Sequence, residues 1–164
     1  MNKPGEERPR VYRMPAESYD LSLLTELRHR VADQIKDLPE EVGNRRPPGV
    51  KNSIHFLVWH LCDGEGRWLS TFDAGLKEAY AAIFIPPFTK DDPIPRAALD
   101  GVFESSKRLL GLYAESGRPR TIPPRFGHER AALAHLHWHW AYHCGQIGLL
   151  RVMLGYPYTW KFQE

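Results

Sequence analysis

The chain has few cysteines, no long apolar run and almost no net charge. Two cysteines in 164 residues are too few for a disulfide-rich scaffold and are typical of a reducing compartment. The longest apolar run, 79–85, has seven residues, far fewer than the ~20 that span a bilayer. The 22 basic and 20 acidic residues leave a formal charge of +2, whereas dedicated nucleic-acid binding usually needs a strong basic patch. We therefore expect a cytoplasmic protein that binds neither membranes nor nucleic acids.

The length and composition predict one folded domain. A chain of 164 residues matches a prior of roughly 150 residues per domain, and 42% hydrophobic with 26% charged residues is usual for a globular protein. Residues 1–14 are polar and lack the apolar centre of a secretory signal, so they are predicted to be a loose leader. Residues 15–164 are predicted to form the domain. Its C-terminal tail is aromatic and contains Tyr156, Tyr158, Trp160 and Phe162.

Apolar residues recur at helical spacing in four long segments. These segments run from about Ser18 to Leu38, Ser53 to Leu69, Pro95 to Ser116 and His128 to Leu154. Asn52 or Ser53 can cap the second helix, and Gly117 and Gly155 can end the third and fourth. The link 72–93 is long and is predicted to hold one short helix at 74–83. No alternating strand pattern competes, so we predict an all-α four-helix bundle with one long crossover connection.

Histidine is unusually frequent in the predicted fourth helix. Five of the eight histidines lie between positions 128 and 143. His135, His139 and His143 follow i, i+4, i+8 spacing on the apolar face, Gln146 lies between them in angle, and His137 points to the opposite side. Unpaired buried imidazoles cost ~1–3 kcal/mol each, and two neutral imidazoles one turn apart can share a divalent ion. The spacing therefore indicates a metal site, with hydrogen-bonded core histidines as the structural alternative.

A third ligand could come from the predicted second helix. His55 and His60 lie at opposite borders of its apolar stripe, and periodicity does not choose between them. Other metal templates are absent, because the chain has no His-Glu-x-x-His motif and one Glu-x-x-His motif where a di-iron bundle needs two.

Several side chains near the histidine face are candidates for supporting roles. They are Gln146, Glu65, His135 and Asp63 as groups that orient the histidines or act in catalysis, and Trp140 and Tyr142 as pocket walls. Glu65 lies near the centre of an apolar stripe, so an ion pair or structural hydrogen bond is its main alternative role. Cys62 and Cys144 point away from the histidines next to them and are predicted to be small core thiols.

Two segments resemble a known family. The stretch His139-Trp-Ala-Tyr-His143-Cys-Gly145-Gln146 resembles the His-x-x-x-His-x-Gly-Gln signature of the DinB/YfiT-like superfamily. The segment from Ser53 through His60 to Leu69 is similar to the family's second helix, which carries a single histidine. The resemblance covers about residues 18–155. It implies a four-helix bundle with one divalent ion, zinc or nickel, held by His60, His139 and His143.

The same resemblance implies an activity. Characterised branches transfer low-molecular-weight thiols such as bacillithiol, mycothiol or glutathione to electrophiles, and members are frequently dimers. We therefore expect a homodimeric, metal-dependent thiol S-transferase whose partners are a thiol and a small-molecule electrophile. The alternatives are a metal-dependent hydrolase using a metal-bound hydroxide and a non-catalytic, stress-related binding module. The chain departs from the family pattern at Cys144, where a basic residue is common, and in its proline-rich segment 84–88.

Overall fold

Helices form all the regular structure in the computed structural model, which describes residues 16–84 and 87–159 and side chains from residue 21 onward. In chain order they are α1 (Ala16–Ile35), α2 (Glu40–Asn44), α3 (Ile54–Phe72), α4 (Lys77–Phe84), α5 (Arg96–Glu115) and α6 (Glu129–Met153). Short 3₁₀ turns at Ala74–Leu76 and Pro124–Phe126 precede α4 and α6. No strand occurs in the described residues, so the predicted all-α class is confirmed.

Some sequence predictions fall on residues that the structure does not describe. The predicted leader, residues 1–14, lies outside the described residues, as do Ile85, Pro86 and the tail residues Trp160 and Phe162. The division into a leader and one domain therefore stays a prediction. Among the residues that are described, no helix combines the length and apolar character needed to cross a membrane.

Local backbone chemistry explains where α3 begins and where α6 ends. The Oγ atom of Ser53 accepts a hydrogen bond from the backbone N–H of Phe56 at 3.1 Å, which satisfies a free donor in the first turn of α3. Gly155 follows α6 with φ 81°, a conformation that glycine adopts at low cost. The backbone N–H of Tyr156 then returns to the carbonyl oxygen of Arg151 at 2.8 Å and closes the helix. The predicted Ser53 cap and glycine stop are both confirmed.

The region between α1 and α3 differs from the sequence prediction. Helix α1 ends at Ile35 rather than at Leu38. Leu38 is nevertheless buried, so the apolar spacing continues beyond the helix and gives no signal of its end. The short α2 begins after Pro39 and matches none of the predicted helical segments. Five residues are too few to show a helical period.

The four long helices enclose a single apolar cluster. Helix α1 packs against α6, and α3 packs against both α5 and α6. Side chains with no exposed surface come from all four helices and include Leu24, Val31, Ile54, Leu61, Leu69, Leu99, Leu136 and Ile147. Helix α3 is thus fixed on two sides, and its orientation relative to α6 determines which histidines can meet.

A buried ion pair between Arg28 of α1 and Glu65 of α3 touches all four long helices. Arg28 also donates a hydrogen bond to Oγ of Ser106 on α5 at 2.9 Å, and its guanidinium carbon lies 4.9 Å from the ring centre of Trp140 on α6. Arg28 is 2% exposed and Glu65 is not exposed at all. Burial alone would lower the pKa of Arg28, but the charge of Glu65 raises it overall. The pair therefore compensates two charges inside the apolar core.

We expect the substitution Arg28→Met to lower the free energy of unfolding by about 3–5 kcal/mol, because it leaves the Glu65 carboxylate buried without its partner. The double substitution Arg28→Met with Glu65→Leu removes both charges and should recover most of that loss. Urea unfolding of the metal-free proteins at neutral pH measures both effects. A double variant no more stable than Arg28→Met alone would contradict this account.

Candidate metal centre

Three histidines from two helices meet at one point. His60 comes from the middle of α3, and His139 and His143 come from successive turns of α6. One ring nitrogen from each lies within 4.8 Å of the other two. The ring centres are 5.0, 5.1 and 4.7 Å apart, and the ring planes are nearly perpendicular to one another. The three imidazoles therefore approach a common point from different directions.

The nitrogen positions fit a shared metal ion. The Nε2 atoms of His60 and His139 are 3.1 Å apart. Two nitrogens bound at ~2.0–2.1 Å to a tetrahedral ion lie about 3.3 Å apart, so little movement would be needed to bind one. Three imidazoles are also a donor set that zinc and nickel accept. The residues present therefore fit the group that the sequence resemblance implies.

The protein environment favours the neutral form of these imidazoles. Burial, together with the nearby rings of His143 and His60, lowers the pKa of His139 to about 4. Burial also lowers the pKa of His60, and it lowers that of His143 against the opposing effect of Gln146. A ligating histidine must be unprotonated. At neutral pH the three rings are thus in the state that binds metal.

A hydrogen-bond chain orients His143. Its Nδ1 atom lies 2.6 Å from Oε1 of Gln146, and an amide oxygen only accepts, so Nδ1 carries the proton and Nε2 keeps the free lone pair. Nε2 of Gln146 in turn donates to the hydroxyl oxygen of Tyr142 at 2.9 Å. The Tyr142 ring is half exposed and lies 5.0 Å from the His143 ring. The structure therefore brings Gln146 and Tyr142 to the histidine cluster.

Asp63 and His135 lie near the cluster but have other partners. Oδ1 of Asp63 accepts a hydrogen bond from the Tyr80 hydroxyl at 2.8 Å, and Oδ2 accepts one from Arg67 at 2.6 Å. The charge of Asp63 acts to raise the pKa of His60, although burial outweighs it. His135 packs with ring centres 5.9 Å from Trp68 and 5.4 Å from Phe126. Neither residue joins the group of potential ligands in the described part of the chain.

Glu65 and Trp140 lie in the core beside Arg28. Glu65 forms the buried ion pair described above. Trp140 has no exposed surface, and its ring packs edge-on against Phe103 at 6.3 Å. The structure therefore places both side chains in the packing between helices. Both side chains contact Arg28, and Glu65 is not in the group of potential ligands found in the described residues.

The second-helix histidine that joins the cluster is His60. His55 is fully buried, and its Nδ1 atom lies 2.9 Å from the carbonyl oxygen of Ile94. A Cβ atom at Gly43 would fall 2.1 Å from Nε2 of His55, so this ring fills space left by a glycine of α2. His55 thus has a packing role on the other side of α3.

Sequence reasoning missed Gly64 as a residue that shapes the site. Gly64 lies one turn after His60 on α3, and a Cβ atom there would be 3.1 Å from Cε1 of His139. Such a distance is tighter than ordinary van der Waals contact. The absence of a side chain lets the His139 ring approach α3. The available signal was a glycine inside an apolar helix, which often marks a close approach.

Both cysteines lie outside the cluster. Cys62 and Cys144 are free and buried, as predicted. Burial raises the pKa of Cys62 to about 11. The sulfur of Cys144 accepts a hydrogen bond from Nε2 of Gln34 on α1 at 3.0 Å. Their thiols are therefore unreactive packing groups at neutral pH.

Comparison with known families agrees with the geometry. The family model described as the DinB superfamily matches residues 23–147. The chain belongs to the DinB superfamily. The match runs from within α1 to within α6 and includes all three clustered histidines. No curated protein and no solved structure matches this DinB chain.

We expect alanine at His60, His139 or His143 to reduce bound metal to background, because each change removes one of three nitrogen donors. His29→Ala is the matched control, since His29 is exposed on α1. Elemental analysis of untagged protein after equilibration with zinc or nickel and desalting measures the metal content. Equal metal content in the control and the three variants would contradict the assignment.

We also expect Gly64→Ala to weaken metal binding without unfolding the protein, because the new methyl group must displace the His139 ring by a few tenths of an ångström. Gly101→Ala on α5 is the control, since a Cβ atom there meets nothing within 4 Å. Competition with a chromogenic chelator compares the dissociation constants. Identical affinities in the two variants would show that the approach at Gly64 does not matter.

Proposed function

We propose that this protein is a metal-dependent enzyme that transfers a low-molecular-weight thiol to small electrophiles. The observation that carries the proposal is the convergence of three neutral imidazoles, which form a three-member ligand group in the described residues. Catalytic metal sites commonly have three protein ligands and leave a further position for substrate. We also propose that the four long helices form one bundle with the 73–95 connection as its crossover.

The metal supplies one piece of chemistry. A divalent ion held by His60, His139 and His143 would lower the pKa of a thiol or of water, so that the reactive anion would be available at neutral pH. Zinc and nickel are the expected ions because imidazole suits both. In the transfer reaction the thiol loses its proton to solvent, its sulfur forms a bond to the electrophilic carbon, and the leaving group departs with its electron pair.

The residues near the cluster favour thiol transfer over hydrolysis. A hydrolase commonly uses a carboxylate as the general base that takes a proton from water. The two candidate carboxylates are engaged elsewhere, Asp63 with Tyr80 and Arg67 and Glu65 with Arg28. A bound hydroxide would also form without a base, but an ester or amide leaving group must then be protonated by an acid, whereas a halide that a thiolate displaces leaves without one. The contribution of this chain is then to hold His143 through Gln146 and to position the electrophile.

Several finer properties remain part of the proposal. A homodimer, a cytoplasmic location and the identity of the thiol are expected from the sequence, and bacillithiol, mycothiol and glutathione are the candidates. Half of the Tyr142 side chain is exposed beside His143, which supports access of such a small thiol from solvent.

The proposal is tested by incubating metal-free, zinc-loaded and nickel-loaded protein with each thiol and monochlorobimane. We expect fluorescent conjugate to form above the uncatalysed rate with at least one loaded form and one thiol. His143→Ala should abolish this rate and His29→Ala should retain it. No conjugation with any combination of metal and thiol would overturn the proposal. Hydrolysis of p-nitrophenyl acetate by the same protein without thiol would then favour the hydrolase alternative.

A further inference from the structure

A cavity lies directly beside the histidine cluster. It has a volume of about 320 Å³ and lies between the segment that precedes α3 and the C-terminal half of α6. Its lining consists of Gly49, Val50, Lys51, Asn52, Leu57, Gln146, Leu149, Leu150 and Met153. Gln146 lines the cavity and also contacts the histidine cluster, because its Oε1 atom lies 2.6 Å from Nδ1 of His143. The cavity therefore begins where the metal centre ends.

Helix geometry places the cavity along the same groove as the histidines. Leu57 lies three residues before His60 on α3, and Leu150 lies seven residues after His143 on α6. Residues at these spacings share one face of a helix. The histidine cluster and the cavity therefore lie along the same faces of α3 and α6, with the cavity nearer the start of α3.

The lining is mainly apolar and includes one basic side chain. Five lining side chains, those of Val50, Leu57, Leu149, Leu150 and Met153, are aliphatic or thioether groups. Lys51 is the charged member of the lining and is exposed. It forms no hydrogen bond or ion pair with another described residue. The N-terminal end of α3, which begins three residues later, adds partial positive charge on the same side.

We propose that this cavity binds a small amphipathic organic anion, with its apolar body among the aliphatic side chains and its anionic group near Lys51. Pockets for small organic ligands have volumes from about 300 Å³ upward, so this cavity suits a small organic molecule. Ligand pockets typically pair apolar walls with a few polar groups that fix orientation. Resting on the proposed function, this ligand would be the electrophilic substrate, with its reactive carbon at the end of the cavity nearest the histidine cluster.

The first experiment measures binding to metal-free protein, so it does not depend on catalysis. Octanoate, octylamine and octanol have the same apolar chain and differ in the charge of the head group. We expect octanoate to bind most tightly in calorimetric titrations and to shift the amide NMR signals of Lys51, Leu149 and Met153. Equal affinity for octanoate and octylamine would overturn the proposed charge preference, and no binding would overturn the site.

Matched variants test the two parts of the cavity. Lys51→Glu should weaken octanoate binding about tenfold and favour octylamine, whereas Lys77→Glu on the exposed start of α4 should change neither. Leu149→Trp should fill the cavity and abolish binding. Val152→Trp is its control, because Val152 is 59% exposed, Leu149 is 60% exposed, and Leu149 alone of the two lines the cavity. Equal effects within either pair would contradict the proposal.

The outcomes separate this inference from the proposed function. Octanoate binding that depends on Lys51, in a protein that transfers no thiol, would retain the cavity and reject the transferase. The opposite result is thiol transfer without octanoate binding, in which Lys51→Glu leaves the ratio of KM values for anionic and neutral electrophiles unchanged. That result would retain the transferase and reject the cavity. Neither result can be explained by loss of metal, because the metal content of each variant is measured alongside.

Discussion

The ion pair between Arg28 and Glu65 is the interaction on which the arrangement of the helices depends. It lies in the apolar interior and reaches α1, α3, α5 through Ser106 and α6 through Trp140. A buried charge tolerates little displacement from its partner, because the desolvation cost remains when the attraction is lost. An apolar contact can slide at a much smaller cost. The pair therefore restricts the relative positions of the four helices more than the surrounding leucines do.

The same constraint bears on the metal centre. Glu65 follows His60 by five residues on α3, and Trp140 follows His139 directly on α6. Both helices thus carry a histidine on one face and a contact of Arg28 on another. Because α3 and α6 are held through Arg28 on the core side, the nitrogens of His60 and His139 meet at 3.1 Å on the other. Gly64 completes the arrangement by leaving room for the His139 ring.

Local sequence signals predicted much of the fold because they act within one helix. The apolar periods, the Ser53 cap and the glycine after α6 depend on neighbours a few residues away, and the structure agrees with them. The spacing of His139 and His143 belongs to the same class, since one helical turn is enough to bring the rings together. The predicted end of α1 at Leu38 was wrong for a related reason. Leu38 is buried, so the apolar spacing continues beyond the last residue of the helix.

Other features could not be read from the sequence because they depend on contacts between distant segments. His55 and His60 lie at opposite borders of one stripe, and only the side on which α6 packs makes His60 the partner of His139. Glu65 carries a carboxylate, which is a common catalytic group. Its ion-pair partner Arg28 lies 37 residues earlier on another helix, so helical spacing does not reveal the pair. The cavity next to Gln146 forms where residues 49–52 lie against the end of α6. The apolar spacing within either segment does not predict this contact.

The protein accommodates polar groups in its apolar interior in two different ways. Arg28 and Glu65 compensate each other, so they need nothing from outside. The three clustered histidines have lowered pKa values instead, which leaves neutral ring nitrogens close to one another. A purely structural metal would favour a fourth protein ligand, and the nearby candidates His135 and Asp63 are held by aromatic rings and by Tyr80 with Arg67. We therefore propose that this centre, which lacks such a ligand among the described residues, adjoins a mainly apolar cavity and lies beside a half-exposed tyrosine, exchanges small molecules rather than stabilising the fold.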